Sequence, residues 1–271
     1  MNYKEDIKAI VFDFDGTLID FNYKASDYTR KALELLKDKD YKICLSTGRP
    51  CYIGLKAFKE TFGEYPLSYI FGCNGSELMD VKNNKIDILH PLSPSQVQYL
   101  GNTIKSDSCV LGIYEEDKFL VNKEVTKQSL IDWMNARWLK PVIFDYSKND
   151  IPRSKVLAIS DPNDKEKTRQ YMESIDLSDF NTFFSSEICF EIAPKGVSKK
   201  LSCETLAKIL NIDLKQILSF GDNDNDLSML QITTGVIMDN AQDRLKKLIP
   251  LHTDSVTDKG IYTFLKNNDL I

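Results

Sequence analysis

Short apolar segments alternate with longer amphipathic segments in the first part of this chain. The apolar segments "IKAIVFDF", "YKICLSTGR" and "LSYIFGCNG" predict three strands, and helix-length segments over 25–37 and 55–62 separate them. Such alternation is typical of βαβ units and indicates a largely parallel sheet. All three predicted strands run into polar or glycine-containing turns. The carboxyl ends of parallel strands share one edge of the sheet, where open α/β folds bind their ligands.

This pattern is interrupted between about residue 81 and about residue 192. Asn83 and Asn84 predict the tight turn of a hairpin, and several short apolar segments follow, with two or three helical segments between them. This change in the sequence pattern indicates a separate α+β domain inserted over residues 82–192.

After Pro194 the alternation of strand and helix resumes, beginning with a helix over 199–210 and the strand "QILSFGD". Residues 1–81 and 193–271 should therefore form one discontinuous core domain. We predict an α/β fold in which this core has a largely parallel sheet.

The composition excludes several classes of function. The 271-residue chain is 42% hydrophobic, which is enough for a substantial core, and its formal net charge of −5 disfavours a nucleic-acid partner. The first residues, "MNYKEDIK", are polar, and no apolar run approaches the roughly 20 residues that span a bilayer. We expect neither secretion nor membrane insertion.

The cysteines are scattered, without the close spacing of zinc ligands or of redox motifs. We interpret them as reduced thiols, mostly in the core of a cytoplasmic protein. They are Cys44, Cys51, Cys73, Cys109, Cys189 and Cys203.

Two carboxylates stand where the first predicted strand ends. Asp13 and Asp15 are two residues apart, so they lie on the same side of an extended strand, and Gly16 permits a sharp turn after them. Close carboxylates raise each other's pKa unless a cation lies between them. The pair therefore suits a metal site or an acid/base pair. Alternatively, it only caps a turn between strand and helix.

A second acidic cluster follows the strand "QILSFGD". Asp222, Asp224 and Asp226 alternate with asparagines, and clustered oxygen ligands favour a hard cation such as Mg²⁺. A calcium loop would place glycine and a distal glutamate where Leu227 and Thr233 stand, so that reading is disfavoured. A solvated acidic turn that caps the next helix is the remaining alternative.

Two further segments could bind an anion. "LSTGR" places the hydroxyls of Ser46 and Thr47 and the backbone of Gly48 before a predicted helix, although helix caps of this kind are common. "APKGVSKK" carries three lysines near the next helix, which could equally lie on a solvated face. These are Lys195, Lys199 and Lys200. Acids, hydroxyl donor and cation together are what phosphoryl transfer to a carboxylate nucleophile requires.

The motifs "DFDGT", "STGR", "GVSKK" and "GDNDND", in that order, resemble the four motifs of the haloacid dehalogenase superfamily of phosphatases. Their spacing resembles the Cof-type branch, whose large α/β cap lies between the second and third motifs. The resemblance covers nearly the whole chain, including "CNGS", "VIMDNA" and "TDKGI". It implies a Rossmann-like three-layer core domain with a parallel sheet, and an inserted α+β cap domain that sets substrate specificity.

The resemblance also implies a mechanism. Asp13 would attack phosphorus, and Asp15 would protonate the leaving group and then activate water. Mg²⁺ would lie between the Asp13 carboxylate, the Asp15 backbone carbonyl and the Asp222 carboxylate. Asp226 would orient metal-bound water or Lys199 from the second shell of the metal.

Phosphate binding is implied for Thr47, Gly48, Asn225 and Lys199. Arg49 and Asn74 would contact the leaving group or the cap, which is a weaker inference. Two positions depart from the family pattern, which has glycine where this chain has Lys200 and Asp239. Lys200 therefore competes with Lys199 for the role of the motif lysine, and Asp239 would either alter substrate preference or face solvent.

The expected function is a Mg²⁺-dependent phosphatase that hydrolyses small phosphorylated metabolites, with sugar phosphates as the leading class. One alternative is a phosphotransferase resembling phosphomannomutase. The other is a catalytically silent binding or regulatory protein on the same scaffold. No feature of the sequence indicates an oligomeric state.

Overall fold

The computed structural model describes residues 3–116 and 118–271. The chain divides after residue 89 and again after residue 197. We call residues up to 89 and from 198 the core unit, and residues 90–197 the inserted unit.

The strands, in chain order, are β1 (Ala9–Phe12), β2 (Lys42–Ser46), β3 (Tyr69–Gly72), β4 (Glu77–Asp80), β5 (Lys85–Ile88), β6 (Cys109–Glu115), β7 (Lys118–Val121), β8 (Lys140–Ile143), β9 (Val156–Ser160), β10 (Phe180–Ser186), β11 (Cys189–Pro194), β12 (Ile217–Gly221), β13 (Thr234–Met238) and β14 (Leu251–Thr253). The α-helices are α1 (Tyr3–Asp6), α2 (Asp27–Leu36), α3 (Cys51–Phe62), α4 (Pro94–Thr103), α5 (Gln128–Asn135), α6 (Lys165–Glu173), α7 (Lys199–Leu210), α8 (Asp224–Ile232), α9 (Asp243–Lys246) and α10 (Ile261–Asn267).

The core unit contains an eight-stranded sheet in the order β14-β13-β12-β1-β2-β3-β4-β5. The six strands from β14 to β3 are parallel, with Ala9 of β1 opposite Ile217 of β12 on one side and Lys42 of β2 on the other. The last two strands are antiparallel to their neighbours. The sheet is therefore mixed, and it is largely parallel, as the sequence indicated.

The predicted domain boundaries at 81/82 and 192/193 differ from the observed division. The hairpin around Asn83 and Asn84 forms as expected, but its strands β4 and β5 extend the core sheet beside β3. At the second boundary, β11 runs through residue 192 and pairs with β9 and β10 of the inserted unit. Hydrogen bonding between strands thus moves both boundaries towards the carboxyl terminus.

Strand β1 is buried on both faces. Val11 belongs to a hydrophobic cluster with Leu206 of α7 and Met229 of α8, whereas Phe12 stacks on Phe220 of β12 with ring centroids 5.4 Å apart. Successive residues of a strand point to opposite faces, so both faces of the sheet are covered. This explains why the first strand reads as an uninterrupted apolar run.

The inserted unit contains a second, six-stranded sheet in the order β10-β11-β9-β6-β7-β8. It is antiparallel except where β8 pairs with β7. One face packs against α4, in a cluster that includes Leu100, Leu111 and Ile192. The predicted α/β core with an inserted α+β unit is confirmed.

Two further expectations concern the whole chain. All six cysteines are buried and free, as the sequence indicated. Among the described residues, no helix is long and apolar enough to cross a membrane.

Candidate active site

The side chains predicted for the site follow neighbouring parallel strands of the core sheet. Asp13 follows β1, Asp222 follows β12 and Thr47 follows β2, and these strands are adjacent in the order β12-β1-β2. The backbone hydrogen bonding between β1 and β12 continues to Asp13, whose amide donates to the carbonyl of Phe220 at 3.0 Å. Parallel pairing therefore places three separate motifs at one edge of the sheet.

Three buried carboxylates meet at this edge. Asp13, Asp222 and Asp226 each offer an oxygen within 4.8 Å of those of the other two. Burial and the charge of Asp226 raise the pKa of Asp13 well above its usual value, against the opposing effect of Lys199. Burial and Asp226 likewise raise the pKa of Asp222, to about 7. The cluster thus carries more negative charge than its surroundings balance.

Lys199, at the start of α7, supplies the buried cation. Its side chain is 0% exposed, and its ammonium group donates to Asp13 and, at 2.5 Å, to Oδ1 of Asp226. Burial lowers the pKa of Lys199, but the charges of the two carboxylates outweigh burial and raise it. The ammonium form is therefore retained.

The other two lysines of this segment lie elsewhere. Lys200 is half-exposed and pairs with Glu204 at 3.4 Å. Lys195 belongs to the inserted unit, where it donates to the carbonyl of Ser178. Only Lys199 of the three contacts the acidic cluster.

Among the described residues, Asp226 accepts more hydrogen bonds from the protein than either of the other two acids. Oδ1 accepts from Lys199, and Oδ2 accepts from the backbone amides of Asp222 and Asn223 at 3.0 and 2.9 Å. These bonds fix the turn that leads from β12 into α8. Asp226 therefore links Lys199 to the turn between β12 and α8.

The first acidic motif folds tightly against Asp222. Gly16 has φ +91°, and a β-carbon at this position would lie 2.2 Å from Oδ2 of Asp222. The hydroxyl of Thr17 lies 3.4 Å from Oδ1 of Asp222. Glycine is required at position 16 both by the backbone conformation and by the close approach of the carboxylate.

Arg49 forms an ion pair with Asp15, the second acid of the first motif. Its Nε and Nη2 donate to the two carboxylate oxygens of Asp15 at 2.9 and 2.6 Å, and its guanidinium lies 5.1 Å from the centre of the Phe14 ring. Partial burial lowers the pKa of Arg49, but the hydrogen bonds and charge of Asp15 raise it overall. In the same loop, the hydroxyl of Thr47 accepts from the amide of Arg49 at 3.1 Å, which leaves its proton available to donate.

A left-handed turn packs against that loop. Cys73, Asn74 and Gly75 have φ values of 49°, 57° and 98°, a conformation that costs free energy for residues other than glycine. The turn is held by two backbone bonds, from Cys73 to the carbonyl of Arg49 and from Asn74 to the carbonyl of Thr47, both at 2.9 Å. The packed loop thereby determines the position of Asn74.

The side chain of Asn74 then meets the acidic motif of α8. Asn225 donates to Oδ1 of Asn74 at 3.2 Å, and a β-carbon on Gly48 would lie 3.5 Å from the same oxygen. The structure thus brings together the residues predicted for phosphate binding, which lie in three separate segments.

Asn240 is a residue of the site that the sequence analysis did not single out. Its amide donates to the carbonyl of Gly16 at 2.9 Å and to Oδ2 of Asp222 at 3.2 Å. The motif "VIMDNA" was the available signal. Its neighbour Asp239, which departs from the family pattern, faces solvent and pairs with Lys246 at 3.1 Å.

Residues 10–265 match the model of the family described as haloacid dehalogenase-like hydrolases. The chain belongs to this family. Its predicted membership is confirmed, and this haloacid dehalogenase-like hydrolase is a phosphoric monoester hydrolase that acts on small phosphorylated metabolites.

Relatives of this hydrolase include phosphatases with different named substrates. A 5-amino-6-(5-phospho-D-ribitylamino)uracil phosphatase of Bacillus subtilis is 28% identical, over 94% of this chain and 93% of its own length. An HMP-PP phosphatase of Yersinia pseudotuberculosis is 24% identical, over 90% of this chain and 88% of its own. Among solved structures, a haloacid dehalogenase-like hydrolase from Bacteroides thetaiotaomicron has a TM-score of 0.83 with 22% identity, covering 96% of this chain and 99% of that one.

The acidic cluster of this hydrolase fits a divalent metal ion. It offers carboxylate oxygens, the ligands that hard cations prefer, and its three carboxylates and the ammonium of Lys199 are all buried. A bound cation would offset the mutual repulsion that raises the pKa of Asp13 and Asp222. The residues form a candidate metal site.

Proposed function

We propose that this hydrolase is a Mg²⁺-dependent phosphatase that uses Asp13 as a nucleophile and forms an aspartyl phosphate. The observation that carries the proposal is the environment of Asp13. Its Oδ1 is held by Lys199, and no hydrogen bond from residues 3–116 or 118–271 is found at Oδ2. One oxygen is thus fixed by a cation, while the other remains available to attack phosphorus.

In the first step, an oxygen of Asp13 forms a bond to phosphorus, and the bond between phosphorus and the ester oxygen breaks. In the second, water attacks phosphorus, which releases inorganic phosphate and restores the carboxylate. Asp15 donates a proton to the departing alkoxide and then accepts one from the water. Its location two residues after the nucleophile, at the edge of the site, supports this role.

The phosphoryl oxygens are assigned to donors from three segments. Thr47 and the Gly48 backbone follow β2, Lys199 begins α7, and Asn225 lies in α8. These groups approach the Asp13 cluster from different elements. Phosphoryl transfer requires donors arranged in this way, because they stabilise the charge that develops in the transition state. Asn74, which bonds to Asn225, is placed to contact the phosphate or the leaving group.

The proposed Mg²⁺ is assigned to the carboxylates of Asp13 and Asp222 and to the backbone carbonyl of Asp15. When bound, it would neutralise the charge of the carboxylates and of the incoming phosphate. Asp226 is assigned to the outer shell, because its oxygens already accept from Lys199 and two backbone amides.

For the substrate, the first class to test is the phosphate esters of sugars and sugar alcohols. The named substrate of the Bacillus subtilis relative contains a phosphorylated ribityl group, which belongs to this class. The residues gathered in the core unit serve chemistry common to all phosphate monoesters. Selection among substrates is accordingly assigned to the inserted unit.

The test is phosphate release from a panel of phosphorylated metabolites, with and without Mg²⁺, by the wild type, Asp13→Asn and Asp224→Asn. Asp224 is a matched control, because it lies in the same acidic motif but pairs with Arg244 at the surface. We expect turnover that requires Mg²⁺, falls by about 10³-fold or more in Asp13→Asn and persists in Asp224→Asn. Phosphate that moves between hydroxyls without release would indicate a phosphotransferase, and binding without turnover a silent protein.

A further inference from the structure

Asn240 joins three segments that are far apart in the sequence. It follows β13, and its side-chain amide group donates to Gly16 and Asp222. Its Oδ1 accepts from the backbone amide of Val256 at 2.9 Å. One side chain therefore connects the turn after β1, the turn after β12 and the loop before α10.

The chemistry of the partners fixes the orientation of this amide. The carbonyl of Gly16 and the carboxylate of Asp222 accept hydrogen bonds, whereas the N–H of Val256 donates one. Rotation of the Asn240 amide by 180° would oppose oxygen to oxygen on one side and N–H to N–H on the other. The geometry thus has one satisfactory arrangement, in which the NH₂ group faces the acidic cluster.

The contacts of Asn240 bear directly on Asp222. Oδ1 of Asp222 lies near the hydroxyl of Thr17, and Oδ2 accepts from Asn240, so neutral donors orient the carboxylate from both sides. Each carboxylate oxygen can accept more than one bond, so both retain capacity for a cation. No positively charged side chain is found among the hydrogen-bond partners of Asp222 in the described parts of the chain.

Asn240 also constrains the turn that carries Asp15. The amide of Gly16 donates to the carbonyl of Ile19 at 2.7 Å, while the carbonyl of Gly16 accepts from Asn240 at 2.9 Å. The peptide groups on both sides of Gly16 are therefore held. The first of them includes the carbonyl of Asp15.

We propose that Asn240 is a positioning residue for the divalent-cation site. It fixes the Asp222 carboxylate and the turn at Gly16 relative to each other before the cation binds. The proposal rests on the proposed function in one respect, namely that a divalent cation binds at Asp13 and Asp222. Hydrogen-bond partners of metal ligands typically contribute about 10- to 100-fold to metal affinity.

The test measures Mn²⁺ binding to the full-length protein without substrate, by electron paramagnetic resonance of free Mn²⁺, and competition of Mg²⁺ for the same site. Asn240→Ala should weaken Mn²⁺ binding by about 10- to 100-fold. Asn240→Ser, a milder change whose side chain is too short for all three partners, should weaken it in the same direction. Asn268→Ala is the matched control, because Asn268 makes a comparable bond to Phe264 in α10.

Thermal unfolding of the metal-free variants separates positioning from a purely structural role. A structural role would lower the unfolding temperature of Asn240→Ala and leave the dissociation constant of Mn²⁺ unchanged. That result, or equal binding by Asn240→Ser if the alanine variant does not fold, would overturn the proposal. If wild-type protein binds no Mn²⁺, the metal site of the proposed function fails as well, whereas tight binding by wild type and Asn240→Ala alike overturns this inference only.

Discussion

Arg49 holds Asp15 by both carboxylate oxygens, with bonds of 2.9 and 2.6 Å from two nitrogens of one guanidinium. A carboxylate bound in this way is fixed in direction. Because Arg49 follows Thr47 and Gly48, the loop assigned to the phosphate also restrains the proposed acid.

The first prediction concerns the loss of this pair. In Arg49→Met, Asp15 gains rotational freedom, so proton donation to the leaving group should become less efficient. We expect kcat for an alkyl phosphate to fall by about 10- to 100-fold, within the range that general acid catalysis contributes. For p-nitrophenyl phosphate, whose leaving group departs without a proton, kcat should change much less. Steady-state kinetics on both substrates checks this.

Arg244→Met is the control for this comparison, because Arg244 forms an ion pair with Asp224 at the surface. It should leave both rates within about twofold, as expected for an exposed pair. Equal losses on the alkyl and aryl phosphates in Arg49→Met would contradict the assignment of Arg49 to Asp15.

The second prediction compares two adjacent lysines. Lys199→Met leaves Asp13 and Asp226 buried without their cation, and breaking a buried ion pair costs about 3–5 kcal/mol. Lys200→Met removes only a half-exposed pair with Glu204 and should cost less than about 1 kcal/mol. Urea denaturation of the metal-free proteins gives both free energies of unfolding.

Acidification provides an internal check on that cost. Protonated carboxylates are neutral and are not stabilised by the charge of the ammonium group. The decrease in the free energy of unfolding caused by Lys199→Met should therefore become smaller as the pH falls. If Lys199→Met and Lys200→Met lost similar amounts of stability, Lys199 would be acting as an ordinary surface lysine, which would contradict its buried position.

Sequence patterns predicted the helices and strands that have a buried face. They did not predict which strands pair, because pairing depends on strands that are distant in the sequence. The hairpin at Asn83 and Asn84 has a local turn signal, but nothing local determines which sheet its strands join. Strand β8 carries no clear strand signal in the sequence, because its second residue is Pro141 and all four of its residues are exposed. Its position is set by pairing with β7, whose other edge pairs with β6.

The same distinction applies to the candidate site. Asp13, Asp222 and Lys199 were found because each stands in a motif at the end or start of an element. The contacts of Arg49 and Asn240 were not found, because they depend on the order of strands in the folded sheet. Asn240 lies 224 residues from Gly16 and 18 from Asp222, so no local pattern connects them.

The third prediction concerns pH and the metal together. The pKa of Asp222 is raised from 3.8 to about 7, first by burial and then by the charge of Asp226. A cation binds the ionised carboxylate, so Mg²⁺ binding near pH 6 should release about one proton from this group, and above about pH 8 almost none. Isothermal titration calorimetry in buffers of different ionisation enthalpy measures the number released. Asp222→Asn, which lacks the group, should show neither this release nor tight binding.

The fourth prediction follows from the same raised pKa and concerns stability. Between about pH 4 and pH 7 the folded protein keeps the proton of Asp222, whereas the unfolded chain has lost it. The raised pKa of Asp222 therefore stabilises the folded protein fully below about pH 4, and this stabilisation is lost as the pH rises to about 7. Because other acids titrate below about pH 5, the comparison is best made between about pH 5.5 and pH 8.

We expect the unfolding temperature of metal-free wild type, relative to that of Asp222→Asn, to fall across this interval. The amide of the variant cannot ionise and so lacks this contribution to the pH dependence. Saturating Mg²⁺ should raise the unfolding temperature of the wild type most at about pH 8, since the ionised carboxylates then bind the cation without losing protons. A constant difference between wild type and Asp222→Asn across the interval would show that Asp222 is already ionised in the folded protein at its lower end, and that burial does not hold its proton.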